Sequence, residues 1–320
     1  MSYKMPVFLG AFLVIFSTGC CSTLPTPKLD GPTLAKEISS ETVALVNDFS
    51  IDKSHSPFCT GVFVSKNTIL TAAHCVKGYA DMKHDVSVYE ALVAGGIPPR
   101  LAMLLMRVGL ENVDPNDIDD PVVQALVMHA IEIAATIPPV QELGLAIPYI
   151  VQSEAIDPGV APTTMHYSSV VAFNTKEDLA VMVVKGEAPN HAIAMLADKT
   201  PEVGESVEST GNGMKNYWTY KIGVVSAYRH TMEHDGMKEI SGPFMQLSMP
   251  VIPGDSGSGI FNDRGQLIGI ASFINPIGMS AYCIHLDTIR GFLIGQHIIA
   301  GKIDTMAKDP DLGDTKLNKE

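Results

Sequence analysis

Short apolar runs recur along much of the chain, and several of them alternate with polar positions. They are rich in Val, Ile and Thr and are interrupted by Gly, Asn, Asp and Lys, which is typical of β-strands joined by tight loops. One group lies at 41–76 and 166–186, and a second lies at about 205–286. Within the second group, residues 262–265 predict a hairpin turn between two strands. The pattern predicts a mostly β protein.

Residues 86 to about 150 differ from these strand-like runs, because they have Ala, Leu, Met, Glu and Gln at helical spacing. The clearest helix is predicted to start at Pro121, to be capped by Asp119 and Asp120, and to end before Pro138. Apolar residues three and four positions apart predict one buried stripe. The stripe consists of Val122, Val123, Leu126, Val127, Ala130, Ile131 and Ala134.

Two further helices are predicted, one over 99–110 and one at the C-terminal end from Asp287 to about Ala300. A charged tail follows at 301–320. The apolar side predicted for the helix over 99–110 consists of Leu101, Leu104, Leu105 and Val108.

The first 20 residues have the features of a signal peptide. Lys4 precedes an apolar run from Pro6 to about Phe16, which is too short to span a bilayer. Small residues then lead to Cys20, as in a bacterial lipoprotein signal, although Ser17 stands where such signals usually have Leu. Two fates stay open: a cell-envelope lipoprotein with a lipidated Cys20, anchored to the membrane, or simple secretion. Either fate exports the protein, to the periplasm, the envelope or the medium.

Composition narrows the class of protein. Of 320 residues, 46% are hydrophobic and 18% are charged, as in a globular protein. The net charge of −13 repels phosphate backbones and argues against a nucleic-acid partner. Residues 21–40 are rich in Pro and polar residues and predict a linker before a domain over 41–300.

Ser256 is the first candidate for chemistry, because its segment PGDSGSG has glycine at 254, 257 and 259. Glycine lets the backbone turn sharply and approach a ligand. Such a turn can direct the N–H groups of Gly254 and Ser256 at one point, as acyl transfer requires for a developing oxyanion. The alternative is a glycine-rich hairpin without a catalytic role.

His74 in LTAAHC is the candidate base, since a neutral imidazole can activate a serine near pH 7. A carboxylate must then orient the ring. Asp178, at the start of the apolar run DLAVMVV, is the preferred candidate. Asp117, Asp119 and Asp120 are nearer to His74 in sequence, but their setting is that of solvated helix caps.

In that order, LTAAHC, DLAV and GDSGSG resemble the trypsin/chymotrypsin superfamily of serine peptidases. The serine segment is most similar to bacterial branches of the HtrA and glutamyl-endopeptidase type. The resemblance implies two antiparallel six-stranded β-barrels, here with a helical insertion at about 86–150, and a His74–Asp178–Ser256 triad. It implies a serine endopeptidase that acts on proteins or peptides and needs no cofactor or metal.

The resemblance also implies a disulfide between Cys59 and Cys75, and an oxyanion hole formed by Gly254 and Ser256. By position, the specificity pocket would involve Pro250, Ala271, Ser272 and Phe273. Pro250 stands where trypsin has an acidic residue, so cleavage after Lys or Arg is not expected. Ala271 stands where glutamyl endopeptidases have His, although His285 lies close enough to leave that specificity open. An apolar residue before the cleaved bond is expected.

The chain departs from the family in two main respects. No IVGG start follows the linker, so Asp255, which resembles the partner of a freed N-terminus, needs another partner. The second departure is the insertion, which is either packed on the barrel through its apolar stripe or serves as a lid or exosite.

The segment DPNDIDD lacks the glycine and glutamate of a calcium loop. Cys283 lies in an apolar run and is predicted to be a buried free thiol.

A second hypothesis keeps the fold but not the activity. In it the protein is a catalytically latent binding protein of the cell envelope, with an intact triad in a blocked cleft.

Overall fold

The computed structural model describes residues 27–48, 56–154, 164–234, 237–275 and 280–298. The signal segment, Cys20 and the charged tail lie outside these residues. In the described parts of the chain, no helix combines the length and the apolar character needed to cross a bilayer.

The first barrel is an antiparallel sheet of six strands in the order β1-β2-β3-β6-β5-β4, closed by the pairing of β1 with β4. Its interior is filled by apolar side chains, among them Leu45, Phe63, Ile147, Tyr149 and Met182. The strands are β1 Thr42–Val46, β2 Pro57–Ser65, β3 Thr68–Ala72, β4 Ala146–Val151, β5 His166–Asn174 and β6 Leu179–Val184.

The second barrel closes six strands in the order β8-β9-β10-β13-β12-β11, and a two-residue strand, β7, pairs in parallel with β12. The hairpin predicted at 262–265 connects β11 and β12. The strands are β7 Met195–Leu196, β8 Ser206–Gly211, β9 Thr219–His234, β10 Met237–Leu247, β11 Gly259–Phe261, β12 Gln266–Asn275 and β13 Ser280–His285. The predicted all-β fold of two antiparallel six-stranded barrels is confirmed.

A separate apolar cluster lies between the two barrels and joins them. Outward-facing residues such as Val62 and Leu179 of the first barrel meet Phe244 and Phe261 of the second. Two helices cover this seam: α1, Gly31–Glu41, and α5, Leu286–Gly295. The predicted C-terminal helix is thus present but ends earlier than Ala300.

Helix α1 corrects the prediction of a linker through residue 40. Asp30 caps the helix by accepting a hydrogen bond from the Thr33 N–H at 3.0 Å, and Pro32 lies in the first turn, where a proline costs no helical hydrogen bond. Leu34 and Ile38 are buried in the seam between the barrels. The proline signal marked the start of a packed helix rather than a linker.

The insertion consists of three helices: α2, Ala73–Ala94, α3, Pro99–Val108, and α4, Pro121–Ala135. Its predicted limits are wrong at both ends, because α2 begins directly after β3 and residues 146–151 are strand β4 of the barrel. Short 3-10 turns occur at Leu110–Asn112 and Pro115–Asp117, and others lie at Gln152–Glu154 and Gly213–Lys215.

The insertion has an apolar core of its own. The first turns of α2 pack on the barrel through Val76 and Tyr79, whereas its later turns pack against α3 and α4. The separate core is made by Val88, Leu92, Ile97, Ala102, Leu105, Val127 and Ala130. The expected packing of the α4 stripe on the barrel is therefore wrong; the helices bury one another instead.

The predicted apolar face of α3 was partly misplaced, whereas that of α4 mostly packs in this core. On α3, Leu104 and Val108 are exposed, while Leu105 and the unpredicted Ala102 are buried. On α4, Val122 is exposed although it lies at the start of the predicted stripe. The helix boundaries were predictable from caps and prolines, but the buried face depends on which neighbour the helix meets.

Candidate active site

The three candidate residues come from both barrels, and hydrogen bonds that pass through Ser272 connect them. His74 is the second residue of α2, directly after strand β3 of the first barrel. Asp178 lies in the turn between β5 and β6 of the same barrel. Ser256 lies in the loop between β10 and β11 of the second barrel.

Asp178 is bound tightly to the start of α2. Its Oδ2 lies 2.9 Å from His74 Nδ1, and its Oδ1 accepts a hydrogen bond from the His74 backbone N–H, also at 2.9 Å. The Asp178 carbonyl oxygen accepts a hydrogen bond from the Ala73 N–H. An aspartate at the free N–H groups of a helix start is electrostatically favourable. One side chain therefore both caps the helix and orients the imidazole.

The turn before β6 delivers Asp178 in an uncommon backbone conformation. Its φ is 53°, in the left-handed region, which Asp tolerates better than most residues. The preceding turn is held by Asn174, whose Oδ1 accepts hydrogen bonds from the N–H groups of Lys176 and Glu177. Asn174 is a turn signal that could have been read from the sequence, but this turn was not predicted.

The carboxylate of Asp178 is buried, at 5% exposure, while the His74 side chain remains 44% exposed. Because Nδ1 donates its proton to the carboxylate, Nε2 is the ring nitrogen with a free lone pair. The ring is held at one edge, and its basic nitrogen lies at the other edge. Asp117 and Asp120 do not compete for this position, since both lie in the insertion and Asp120 caps α4.

Ser272, on β12, connects Asp178 with Ser256. Its hydroxyl donates a hydrogen bond to Asp178 Oδ2, and its carbonyl oxygen accepts one from Ser256 Oγ at 3.4 Å. Among the residues that the structure describes, this carbonyl and not His74 is the partner of the Ser256 hydroxyl. Ser272 was predicted only as a residue of the specificity pocket, and its contact with Asp178 was not predicted.

The backbone of Ser256 is anchored on the first barrel. Its carbonyl oxygen accepts a hydrogen bond from the Thr60 N–H at 2.8 Å and lies 3.6 Å from Cys75 Sγ. Gly257, with φ of 85°, leaves no room for a side chain, because a Cβ would overlap the Thr60 carbonyl oxygen. The contact with Cys75, the neighbour of His74, shows how closely the two loops approach.

The implied disulfide between Cys59 and Cys75 is present, with the two Cα atoms 6.1 Å apart. It ties β2 to the first turn of α2 and so fixes the segment that carries His74. Cys283 is a buried free thiol, as predicted, and burial raises its pKa above the usual range. A thiol held protonated in this way is a poor nucleophile.

The candidate oxyanion donors are the backbone N–H groups of Gly254 and Ser256. Gly254 has φ of 104°, and a Cβ there would lie 2.5 Å from the Asn212 carbonyl oxygen, so the position requires glycine. In the described part of the chain, the N–H groups of Gly254 and Ser256 have no hydrogen-bond acceptor. Two unpaired N–H groups beside a serine hydroxyl are the arrangement that an oxyanion hole requires.

A cleft of about 210 Å³ opens beside Ser256. Its lining is mostly apolar and consists of Val251, Ile252, Pro253, Ser256, Ser272, Phe273 and Ile274. Ser272 and Phe273 were expected in this pocket and line it. Pro250, which is exposed, and the buried Ala271 were also expected, but neither lines the cleft.

His285 has a structural role. It caps helix α5, where its Nδ1 accepts a hydrogen bond from the Asp287 N–H at 3.1 Å, and it lies outside the cleft lining. Burial lowers its pKa and favours the neutral ring. The possibility that His285 recognises a glutamate side chain therefore has no support in its position.

Comparisons with known proteins agree with this geometry. Residues 39–96 match the family described as Trypsin, and residues 137–270 match the Trypsin-like peptidase domain. A probable periplasmic serine endoprotease, DegP-like, of Halomonas elongata is 32% identical over 108 residues, which are 33% of this chain and 22% of that protein. Human serine protease HTRA4 is 27% identical over 161 residues, 49% of this chain and 34% of that protein. The matches thus span about a third or less of these relatives.

Solved structures share the fold. The active form of the Rv3671c protease from M. tuberculosis has a TM-score of 0.51 at 11% identity, with 94% of this chain and 96% of that chain covered. An inactive form of that protease has a TM-score of 0.50 at 11% identity, with 85% of this chain and 95% of that chain covered. At this identity the likeness concerns the arrangement of the barrels alone.

Proposed function

Because the chain belongs to the trypsin-like serine peptidases and is similar to their HtrA-like branch, we propose that it is a serine endopeptidase with His74, Asp178 and Ser256 as its triad. The observation that carries the proposal is the buried Asp178 carboxylate, which holds His74 Nδ1 at 2.9 Å and is connected to Ser256 through Ser272. We assign this role to one catalytic domain that spans both barrels, the insertion and α5.

The reaction follows from the positions of the protons. When a substrate carbonyl enters the cleft, the Ser256 hydroxyl turns from the Ser272 carbonyl to His74 Nε2. His74 takes the hydroxyl proton as Oγ bonds to the carbonyl carbon, and Asp178 stabilises the resulting imidazolium. The N–H groups of Gly254 and Ser256 donate to the oxyanion, and each such donor contributes roughly 3 kcal/mol to the transition state.

Collapse of the tetrahedral intermediate breaks the C–N bond, and His74 gives its proton to the leaving amine. A water molecule then attacks the acyl-enzyme with His74 again acting as base. The products are a carboxylic acid and free Ser256. The chain's own residues supply every proton transfer in this sequence.

The substrate class is protein or peptide with an apolar side chain before the cleaved bond. The lining of the cleft carries Val251, Ile252, Phe273 and Ile274 and no charged residue. An apolar side chain gains roughly 25 cal/mol for each Å² it buries in such a cleft, whereas an unpaired charge is penalised. Cleavage after Lys, Arg or Glu is therefore disfavoured.

We propose that the protein is exported. The supports are the N-terminal signal-like segment and the periplasmic DegP-like relatives. Lipidation at Cys20 and simple secretion predict different fractions. With Cys20→Ala as the comparison, a lipoprotein would move from the membrane fraction to the soluble fraction, whereas a secreted protein would not change.

A peptide library with one varied residue before the scissile bond tests the proposed activity. We expect turnover with Leu, Phe or Met at that position, and no turnover by Ser256→Ala. Thermal unfolding of Ser256→Ala should match that of the wild type, since the change removes only one long, part-buried hydroxyl contact of 3.4 Å. If the folded wild type cleaves no peptide or protein substrate, the alternative of a latent envelope binding protein replaces this proposal.

A further inference from the structure

The carboxylate beside the candidate nucleophile has an internal cationic partner. Asp255 precedes Ser256 and is buried, at 1% exposure, and its Oδ2 forms an ion pair with Lys221 Nζ. Lys221 is the third residue of β9, and its side chain is 7% exposed. We infer that Lys221 is a positioning residue, which holds the Gly254 and Ser256 N–H groups in place through Asp255. This inference rests on the proposed peptidase function.

The Asp255 side chain organises the loop that bears both N–H groups. Its Oδ2 accepts a hydrogen bond from the Ile252 N–H at 2.9 Å, and its own N–H donates to the Ile252 carbonyl oxygen at 3.0 Å. These two bonds close a tight turn across 252–255. The turn positions Gly254 directly, and Ser256 follows it.

The site around the carboxylate is built for it. Glycine at 211 and at 213 leaves the necessary space, because a Cβ at either position would clash with an Asp255 carboxylate oxygen. The other oxygen, Oδ1, is buried and has no hydrogen-bond partner among the described residues. The charge of Asp255 is therefore compensated chiefly by Lys221.

Removing the ammonium would leave a buried charge without a counter-ion. The least costly response is for the Asp255 side chain to leave the interior toward water. Such a movement would open the 252–255 turn and displace the Gly254 and Ser256 N–H groups. The trypsin resemblance implied a freed N-terminus as the partner of Asp255, and a lysine within the second barrel fills that position here.

The experiment compares Lys221→Met with Lys221→Arg, which keeps the charge, and with Lys215→Met, which removes an exposed lysine of the adjoining segment. We measure kcat and KM on a peptide substrate and amide exchange at Ile252 and Asp255, whose N–H groups are hydrogen-bonded within the turn. We also measure the emission of Trp218, the chain's one tryptophan, whose backbone N–H donates to Asn212 Oδ1 beside this loop.

We expect Lys221→Met to lower kcat by about 100-fold, the size of one lost oxyanion donor, with KM changed by less than about threefold. Amide exchange at Ile252 and Asp255 should accelerate and Trp218 emission should shift. Lys221→Arg should recover most of the rate, and Lys215→Met should resemble the wild type. A folded Lys221→Met protein with wild-type kcat, or with unchanged amide exchange, would overturn the inference.

If Lys221→Met does not fold, Lys221→Met/Asp255→Asn removes both charges together. We expect this variant to fold and to remain about 100-fold slow. Recovery of the full rate would show that the pair only neutralises its own burial. If the wild type itself is inactive, the proposed function fails, and the exchange and emission data alone then decide whether Lys221 positions the loop.

Discussion

The two barrels and the helical insertion are built on different principles. The barrels share a buried seam, and the candidate site lies on that seam, with His74 and Asp178 from one barrel and Ser256 from the other. The insertion buries its own small core and leaves large apolar side chains such as Met103 and Val122 exposed. A change in the barrels should therefore reach the site, whereas a change beyond the first turns of α2 should stay local.

The same chemical change in the two regions should give the largest contrast. Asp178→Asn keeps the shape of the side chain but removes the charge that selects the His74 tautomer, so kcat should fall by about 10⁴-fold. Asp120→Asn, at the cap of α4, should leave kcat unchanged because Asn caps a helix as well as Asp does. Steady-state kinetics on both variants checks this. Equal effects would contradict the separation of the two regions.

The pH dependence of stability should also originate in the barrels. Glu41 is buried at the end of α1, and burial, with a smaller contribution from Glu37, raises its pKa from 4.5 to about 8. The folded state then holds this proton more tightly than the unfolded state, so the contribution is fully present below pH 4.5. It is lost as the pH rises to about 8, by an amount on the order of 5 kcal/mol.

Glu41→Gln should remove that loss, so its free energy of unfolding should exceed that of the wild type at pH 8 and approach it at pH 4.5. Glu132→Gln, an exposed change on α4, is the matched control and should leave the pH profile unaltered. Denaturant unfolding at several pH values measures both. A constant difference between Glu41→Gln and the wild type across the range would contradict the assignment to Glu41.

Two buried leucines provide the third comparison. Leu45→Ala in the first barrel and Leu92→Ala in the insertion each remove a fully buried side chain, at a cost of roughly 3 kcal/mol. The loss at Leu45 should lower global stability and accelerate exchange of amides around the site. The loss at Leu92 should accelerate exchange in α3 and α4 alone. Exchange mapped by mass spectrometry distinguishes the outcomes, and coupled exchange in both regions would rule out a separate insertion core.

The smallest effects are expected at the surface of α3. Leu104 is 56% exposed, so Leu104→Ser should change the free energy of unfolding by less than about 0.5 kcal/mol. Leu105 is 4% exposed, and Leu105→Ser should cost roughly 2–5 kcal/mol. Thermal unfolding of the two neighbouring variants tests which face of α3 is buried.

The sequence was most informative where local chemistry decides the structure. Val- and Ile-rich runs predicted the strands, and the motifs around His74 and Ser256 provided the candidate site residues. Strand β4 was not predicted because AIPYIV contains Pro148 and lies at the end of the segment that was predicted to be helical. The helical segment was predicted to begin too far along the chain, because the start of α2 depends on Asp178, which lies far away in the sequence.

Contacts between side chains that lie far apart in the sequence could not be predicted, for the same reason. Nothing in the segment around Lys221 indicates that its ammonium is buried against Asp255, since the pairing exists only once β9 and the serine loop are assembled. Likewise, Ser272 is an ordinary residue of a strand until the barrels meet and its hydroxyl reaches Asp178. Local pattern predicts elements, and contacts between elements require the fold.

The central claim is that Ser256 is an activated nucleophile, and labelling with a fluorophosphonate probe tests it most directly. We expect the wild-type protein to form a single adduct, mapped by peptide mass analysis to Ser256 and absent from Ser256→Ala. Labelling of Asp178→Asn should be far slower than that of the wild type. A folded wild-type protein that forms no adduct, or one that is labelled equally in Ser256→Ala, would contradict the claim.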